Sequence, residues 1–154
     1  MLEWARANGA PCNGKVCAFA ARGGHLDVLR WAREERVVPC DHSVCYHAAK
    51  GGHISVLEWA IANGLAPDSC AYAHAAMGGH LPVLRWLREH GVQWDYMTCE
   101  YAAMCGHIDA FRWAKDNGAE RSQNECAYLA EWGHLAELDR AWKEGAPCDV
   151  RVCA

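Results

Sequence analysis

The ten cysteines and nine histidines of this 154-residue chain are the side chains whose types and spacing could do chemistry. Cys12 and Cys17, Cys40 and Cys45, and Cys148 and Cys153 each form a Cys-x4-Cys pair. Two such pairs, or one pair with two histidines, could supply the four converging ligands of a structural zinc ion, each about 2.0–2.3 Å from the metal. A second constellation is Gly-Gly-His ahead of an apolar run, as in GGHLPVLRWLREHG over residues 78–91. Glycines opening a helix can grip an anion with free backbone amides, and a histidine there could bind a metal or relay a proton. The same three letters also suit a plain turn between two helices.

Spacing separates these chemistries from a scaffold. His25, His53, His80, His107 and His134 lie 28, 27, 27 and 27 residues apart, each preceded by glycine and followed by Leu or Ile. A unit copied at constant period sets the architecture before any single motif is interpreted. Eleven residues after each histidine come Arg36, Gly64, Gly91, Gly118 and Gly145, four of them the usual helix stop. Six after it come Trp31, Trp59, Trp86 and Trp113, with Arg140 in the last copy and Trp4 one period upstream. Eight before it come Cys17, Cys45, Tyr72, Cys99 and Cys126, with Cys153 again in phase. The second cysteine of each pair therefore keeps a fixed phase in the unit, where a small apolar side chain serves a packed helix face. The first occupies a loop position held elsewhere by Pro67, Trp94 and Arg121. This pattern predicts core packing and no metal. Disulfides between stacked equivalents are excluded because helices stack about 10 Å apart, beyond the reach of an S–S bond. With no secretory signal at the N-terminus, the thiols are expected to be reduced and the protein intracellular.

The elements that carry these columns follow from periodicity. After each histidine the apolar residues recur at offsets one, three, four, six and seven, as in Leu81, Val83, Leu84, Trp86 and Leu87, which is one helical face. Pro82 falls in the first turn, where its missing N–H costs nothing. Asp41, Asp68 and Asp95, twelve before the histidine, are the expected N-caps of a shorter first helix. Each unit is helix, Gly turn, helix, loop, with units at about 13–36, 41–64, 68–91, 95–118 and 122–145 and partial units at 1–9 and 149–154. Two short helices cannot bury so wide a stripe alone, so the units must stack into an all-α solenoid. Burial of one indole per unit would contribute roughly 4–6 kcal/mol as an upper bound, which predicts a Trp column dominating the core. The half-units at the ends predict a piece of a longer array, while Glu137 and Arg140, at positions otherwise apolar, resemble the polar outer face of a capping unit.

The runs AARGGHLDVLRWAREER, AAKGGHISVLEWAIANG, AAMGGHLPVLRWLREHG and AAMCGHIDAFRWAKDNG resemble the ankyrin repeat: two alanines, a Gly-His turn, an aliphatic second helix and a closing glycine. Two departures are visible. The period is shorter than the family's 33 residues, leaving three or four residues between closing glycine and Asp, so the β-hairpin finger is expected to be shortened or absent. The Thr-Pro-Leu-His opening is replaced by Ser43-Val44-Cys45-Tyr46 and Met97-Thr98-Cys99-Glu100. This short, Trp- and Cys-rich form is similar to arrays of giant DNA viruses and some protists, where such repeats often accompany an F-box; this chain contains none. The resemblance implies that each histidine bonds neighbouring backbone and ties unit to unit, and that the position after the two alanines faces a concave, partner-binding surface.

Other functions lose ground on composition. The net charge of −4, with both signs interspersed, gives no general attraction to nucleic acid or membrane lipid. No apolar stretch reaches the 18 or so residues that cross a bilayer. Gly-x-Ser-x-Gly, a phosphate-loop Gly-Lys-Ser/Thr and His-Glu-x-x-His are all missing, so neither an enzyme nor a cofactor is expected. In a solenoid, function resides where the copies differ. The position after the alanines carries Arg22, Lys50, Met77, Met104 and Glu131; with Trp94 and Tyr96 on the middle units, these form the predicted contact patch. Trp94 has a second reading, as cover for the loop end of the core. The expectation is a non-catalytic protein-binding module, monomeric or part of a longer chain, serving as a substrate-recruiting adaptor segment in the cytoplasm, or in a host's cytoplasm if viral. A metal or redox protein using the Cys and His columns, and a structural spacer, are the alternatives.

Overall fold

The computed structural model describes residues 14–34, 40–120 and 122–146. The sequence expectations for Trp4, Cys12, Arg36, Arg121, Cys148, Cys153 and the half-units 1–9 and 149–154 fall outside these residues. Ten helices follow one another in pairs among the described residues: α1 (Gly14–Gly23) with α2 (Leu26–Glu34), α3 (Ser43–Gly51) with α4 (Ile54–Ala62), α5 (Ser69–Met77) with α6 (Leu81–Glu89), α7 (Met97–Met104) with α8 (Ile108–Asp116), and α9 (Glu125–Glu131) with α10 (Leu135–Lys143). No strand occurs among the described residues, and the finger between units is reduced to loops such as 65–68 and 92–95.

Local rules account for the ends of these helices. The carboxylates of Asp41, Asp68 and Asp95 accept the backbone N–H of Ser43, Cys70 and Met97 at 2.9, 2.9 and 3.0 Å, as expected of caps. In the fifth unit Ser122 takes this place, its hydroxyl oxygen accepting from Asn124 N–H at 3.2 Å. The turn inside each pair is shown by the second unit. Gly52 adopts φ 82°; its N–H bonds to the Ala49 carbonyl at 3.2 Å and that of His53 to Ala48 at 3.0 Å. These bonds satisfy carbonyls left open at a helix C-terminus. Glycine alone reaches that φ without strain, and a Cβ there would also meet the His80 ring at 2.7 Å.

The core is built from small and aliphatic side chains. Leu29, Leu57, Leu84 and Phe111, four residues after the first four histidines, are buried, as are Ala32, Ala60, Leu87 and Ala114 at seven. Facing them, Cys17, Cys45, Tyr72, Cys99 and Cys126 are buried on the first helices, the inward phase expected of that column. The tryptophans do not form the buried column predicted from their spacing. Trp86 is buried, whereas Trp31, Trp59 and Trp113 are half-buried at the edge of the core. At this position three of the four rings pack against the edge of the core rather than inside it.

First helices pack on one another far more closely than second helices do. Paired alanines, Ala48 with Ala49, Ala75 with Ala76 and Ala102 with Ala103, are buried there and let the backbones approach. A stack that is tight along one row and splayed along the other curves toward the tight row, so the first helices line the inside of the curve. In the last described unit Glu137 and Arg140 do not form a polar outer face. Glu137 takes the Arg112 guanidinium, and Arg140 reaches Asp116 at 3.3 Å, so both tie α10 back to α8. Trp132, Leu135 and Trp142 of this unit are exposed.

Candidate binding face

The repeating histidines build one row of backbone along the inside of the curve. The Nε2–H of His53 donates to the Arg22 carbonyl at 3.0 Å, that of His80 to Lys50 at 3.0 Å, and that of His107 to Met77 at 3.1 Å. Each bond runs from one unit to the unit before, the inter-unit tie that the ankyrin resemblance implies. The fifth unit differs. Trp132 Nε1–H donates to the Met104 carbonyl at 3.0 Å, and its ring lies where a Cβ on Gly106 would be. His134 makes no such bond among the described residues, nor does His25. Among the described residues the tie is made by His53, His80 and His107, and the Trp132 indole, two residues before His134, makes the equivalent bond to Met104. Nothing in the spacing of His134 distinguishes it; the signal was Trp132 at a position otherwise held by Gly23, Gly51, Gly78 and Cys105.

These ties hold Arg22, Lys50, Met77 and Met104 as a column at the C-terminal ends of α1, α3, α5 and α7, and Glu131 has the equivalent place at the end of α9. Arg22 and Glu131 are exposed, and Lys50, Met77 and Met104 are half-buried. Three residues earlier on each helix, hence on the same face, stand Phe19, His47, His74, Tyr101 and Tyr128, a row of rings beside the column. Four of the rings are half-buried, but Phe19 is 65% exposed. His47 and His74 each donate Nδ1–H to the carbonyl four residues back, Ser43 and Cys70, at 2.8 Å. His74 also stacks on Tyr46, centroids 5.4 Å apart. The Tyr46 hydroxyl donates to Asp68 at 2.8 Å, and that bond to a carboxylate, aided by burial, pushes its pKa up to about 12.

The other two residues of the predicted patch lie elsewhere. Trp94 sits in the loop before α7, packed on Tyr72 and edge-on to Trp113 with centroids 5.5 and 5.6 Å away, under the Arg88 guanidinium at 5.1 Å. It covers the loop end of the core. Tyr96 is exposed just ahead of the N-terminus of α7, about 12 Å along the axis from Met104 at 1.5 Å per residue. The structure brings five of the seven residues into one column and leaves these two at the opposite end of the first helices.

Charged side chains of α8 and α10 are paired: Lys115 with Glu125 of α9 at 3.5 Å, Arg140 with Asp116 and Glu144, Lys143 with Asp139, and Arg112 with Glu137. On the column, the side chains of Arg22, Lys50 and Glu131 have no ion-pair or hydrogen-bond partner among the described residues.

No group of three or more His, Cys, Asp or Glu residues that could hold a metal converges among the described residues. The buried thiols are poor nucleophiles, since burial pushes Cys17 up to about 12, helped by its contact with Cys40, and Cys45 up to about 11. Cys45 donates to the Leu65 carbonyl at 3.2 Å. One cysteine departs from the expectation of reduced thiols: Cys126 is disulfide-bonded. Cys17 and Cys40 are free thiols in contact, Sγ to Sγ 2.6 Å, with Cys40 reaching the inward Cys17 from a loop. The expectation weighed only equivalent cysteines of stacked helices.

Residues 72–114, from the third unit through the fourth, match the family model described as ankyrin repeats (many copies). This bears out the ankyrin likeness read from the repeats; nothing in it bears on a viral or protist source. No curated protein matches the chain. Among solved structures, the pentatricopeptide repeat protein PPR10 from maize superposes with a TM-score of 0.57 over 98% of this chain at 15% identity. The pentatricopeptide repeat protein PPR10 in complex with an 18-nt psaJ RNA element gives a TM-score of 0.49 over 96% of this chain at 17% identity. This chain spans 27% of the length of each. The likeness to the maize structure shows the fold, a stack of helical pairs.

Proposed function

We propose that this ankyrin-type array is a non-catalytic binding module that takes a protein partner on the inside of its curve, as a recruiting segment of a larger protein. One observation carries the reading: the ties hold a row of backbone in constant geometry, while the side chains along that row change from unit to unit and leave their charges unpaired. Constant geometry with variable side chains is what recognition requires of a repeat scaffold. Met77 and Met104 stand next to each other in the middle of the row, and thioether side chains adapt to a partner's surface. The Nε2 atoms of His53, His80 and His107 are committed to carbonyls, which speaks against a metal or proton relay built on that column.

A protein partner is favoured over nucleic acid by the net charge of −4 and by Glu131 at one end of the column. The PPR10 complex with RNA makes the nucleic-acid arm of the test necessary. The purified chain is used to capture partners from a lysate, with and without ribonuclease, and the captured material is analysed by mass spectrometry and by RNA sequencing. Met77→Glu with Met104→Glu is expected to keep the helical circular-dichroism spectrum and to lose the captured protein. Retention of the same protein by this variant refutes the face, and loss of capture on ribonuclease treatment refutes the partner class.

A further inference from the structure

The column is ordered by charge. From α1 to α9 it runs Arg22, Lys50, Met77, Met104, Glu131: two cations, two flexible apolar side chains, one anion. Arg22, Lys50 and Glu131 have no partner within the described residues, in contrast to the paired charges of α8 and α10. The rings of Phe19, His47, His74, Tyr101 and Tyr128 run alongside, one per unit. We propose, on the premise that this face binds protein, that its occupant is an extended peptide segment with acidic residues at one end, apolar residues in the middle and a basic residue at the other.

Length follows from the spacing of the rungs. Helices packed face to face lie about 8–10 Å apart, so the four steps from Arg22 to Glu131 cover roughly 32–40 Å. An extended chain rises about 3.3 Å per residue, and about twelve residues span the column. A helical ligand would need about 25 residues for the same distance at 1.5 Å per residue. Polarity follows from charge: acidic residues sit over Arg22 and Lys50, Leu- or Met-like residues over Met77 and Met104 against the rings, and Lys or Arg over Glu131. Opposed charges at the two ends fix the direction of the peptide, because the reversed peptide places like charges together. A uniformly charged strand such as nucleic acid meets Glu131 with its phosphates and gains nothing at that end.

The test is selection of random 12-residue peptides displayed on phage against the whole chain. Sequences with acidic residues at one end and basic residues at the other, around an apolar centre, are expected to be enriched. The strongest is synthesised with a fluorophore and titrated by anisotropy. Arg22→Glu with Lys50→Glu is expected to weaken it at least tenfold, and exchanging the peptide's acidic residues for Lys restores binding to that variant. These substitutions leave the ties intact, since the bonds use backbone carbonyls.

Enriched peptides without charge polarity that are nevertheless lost on Met77→Glu with Met104→Glu overturn the inference and leave the binding face standing. Enriched peptides indifferent to both double variants overturn the face itself. Displacement of the peptide by a 12-nt single-stranded RNA of mixed sequence, with tighter binding of that RNA, overturns a protein occupant, and enrichment of nothing above the bare matrix overturns the proposal.

Discussion

Five histidines at one repeat position should cost unequal amounts when removed. His80 is in the middle of the array, donates to the Lys50 carbonyl at 3.0 Å and places its ring over Gly52. His80→Ala removes one hydrogen bond, about 1 kcal/mol net, and leaves a partly buried carbonyl without its partner, about 1–3 kcal/mol further where water does not reach. The sum is about 2–4 kcal/mol. His25 is exposed and bonds nothing across units among the described residues, so His25→Ala belongs with surface substitutions, within about 0.5 kcal/mol of the parent. The fifth unit supplies the inverse pair: Trp132→Ala removes the bond to Met104, and His134→Ala removes none. Urea unfolding followed by circular dichroism reads all four. Because a solenoid is coupled only through neighbours, His80→Ala should also broaden the transition, as the array loosens between its second and third units. Equal losses for His25→Ala and His80→Ala would refute the reasoning, since the histidine would then act within its own turn.

Two further outcomes follow from buried groups. Lys115 and Glu125 form an ion pair with side chains 14% and 3% exposed; Lys115→Met leaves the carboxylate desolvated and unpaired and should cost about 3–5 kcal/mol in urea unfolding. Lys115→Met with Glu125→Leu should regain most of that. The thiols of Cys17 and Cys45 and the phenol of Tyr72, raised to about 12, 11 and 12 chiefly by burial, are favoured protonated by the fold. Stability is therefore intact below their unfolded values of about 9 and 10 and declines as pH rises through the folded values, so the urea midpoint should fall between pH 8 and 10.5. Iodoacetamide at pH 8 should modify Cys45 only under denaturing conditions; rapid labelling in the native state refutes the buried thiol.

The period of the sequence carried most of the fold because each recurring residue answers a local demand. Asp at the head of a first helix, glycine at a positive φ and aliphatic residues on one face do the same work in every copy, so one unit determines its neighbours. The tryptophan position shows where that logic stops. Trp31, Trp59, Trp86 and Trp113 share an offset, but burial is set by how closely neighbouring helices approach. Three of the four rings lie at the edge of the core and one is buried. Phase gives direction around a helix, whereas depth is a property of the stack. The binding column has the same origin. Its members were visible as the position where copies disagree, but the ring row from Phe19 to Tyr128 was hidden, because an aromatic every 27 residues reads as packing until the curvature of the stack shows which face is open. Trp132 makes the point most sharply. In sequence it interrupts a glycine position, and in the fold that interruption replaces a histidine tie with an indole one and keeps the Met104 carbonyl in line with the others. A departure from the repeat can therefore preserve its geometry, and each non-conforming residue has to be tested by the bond it makes.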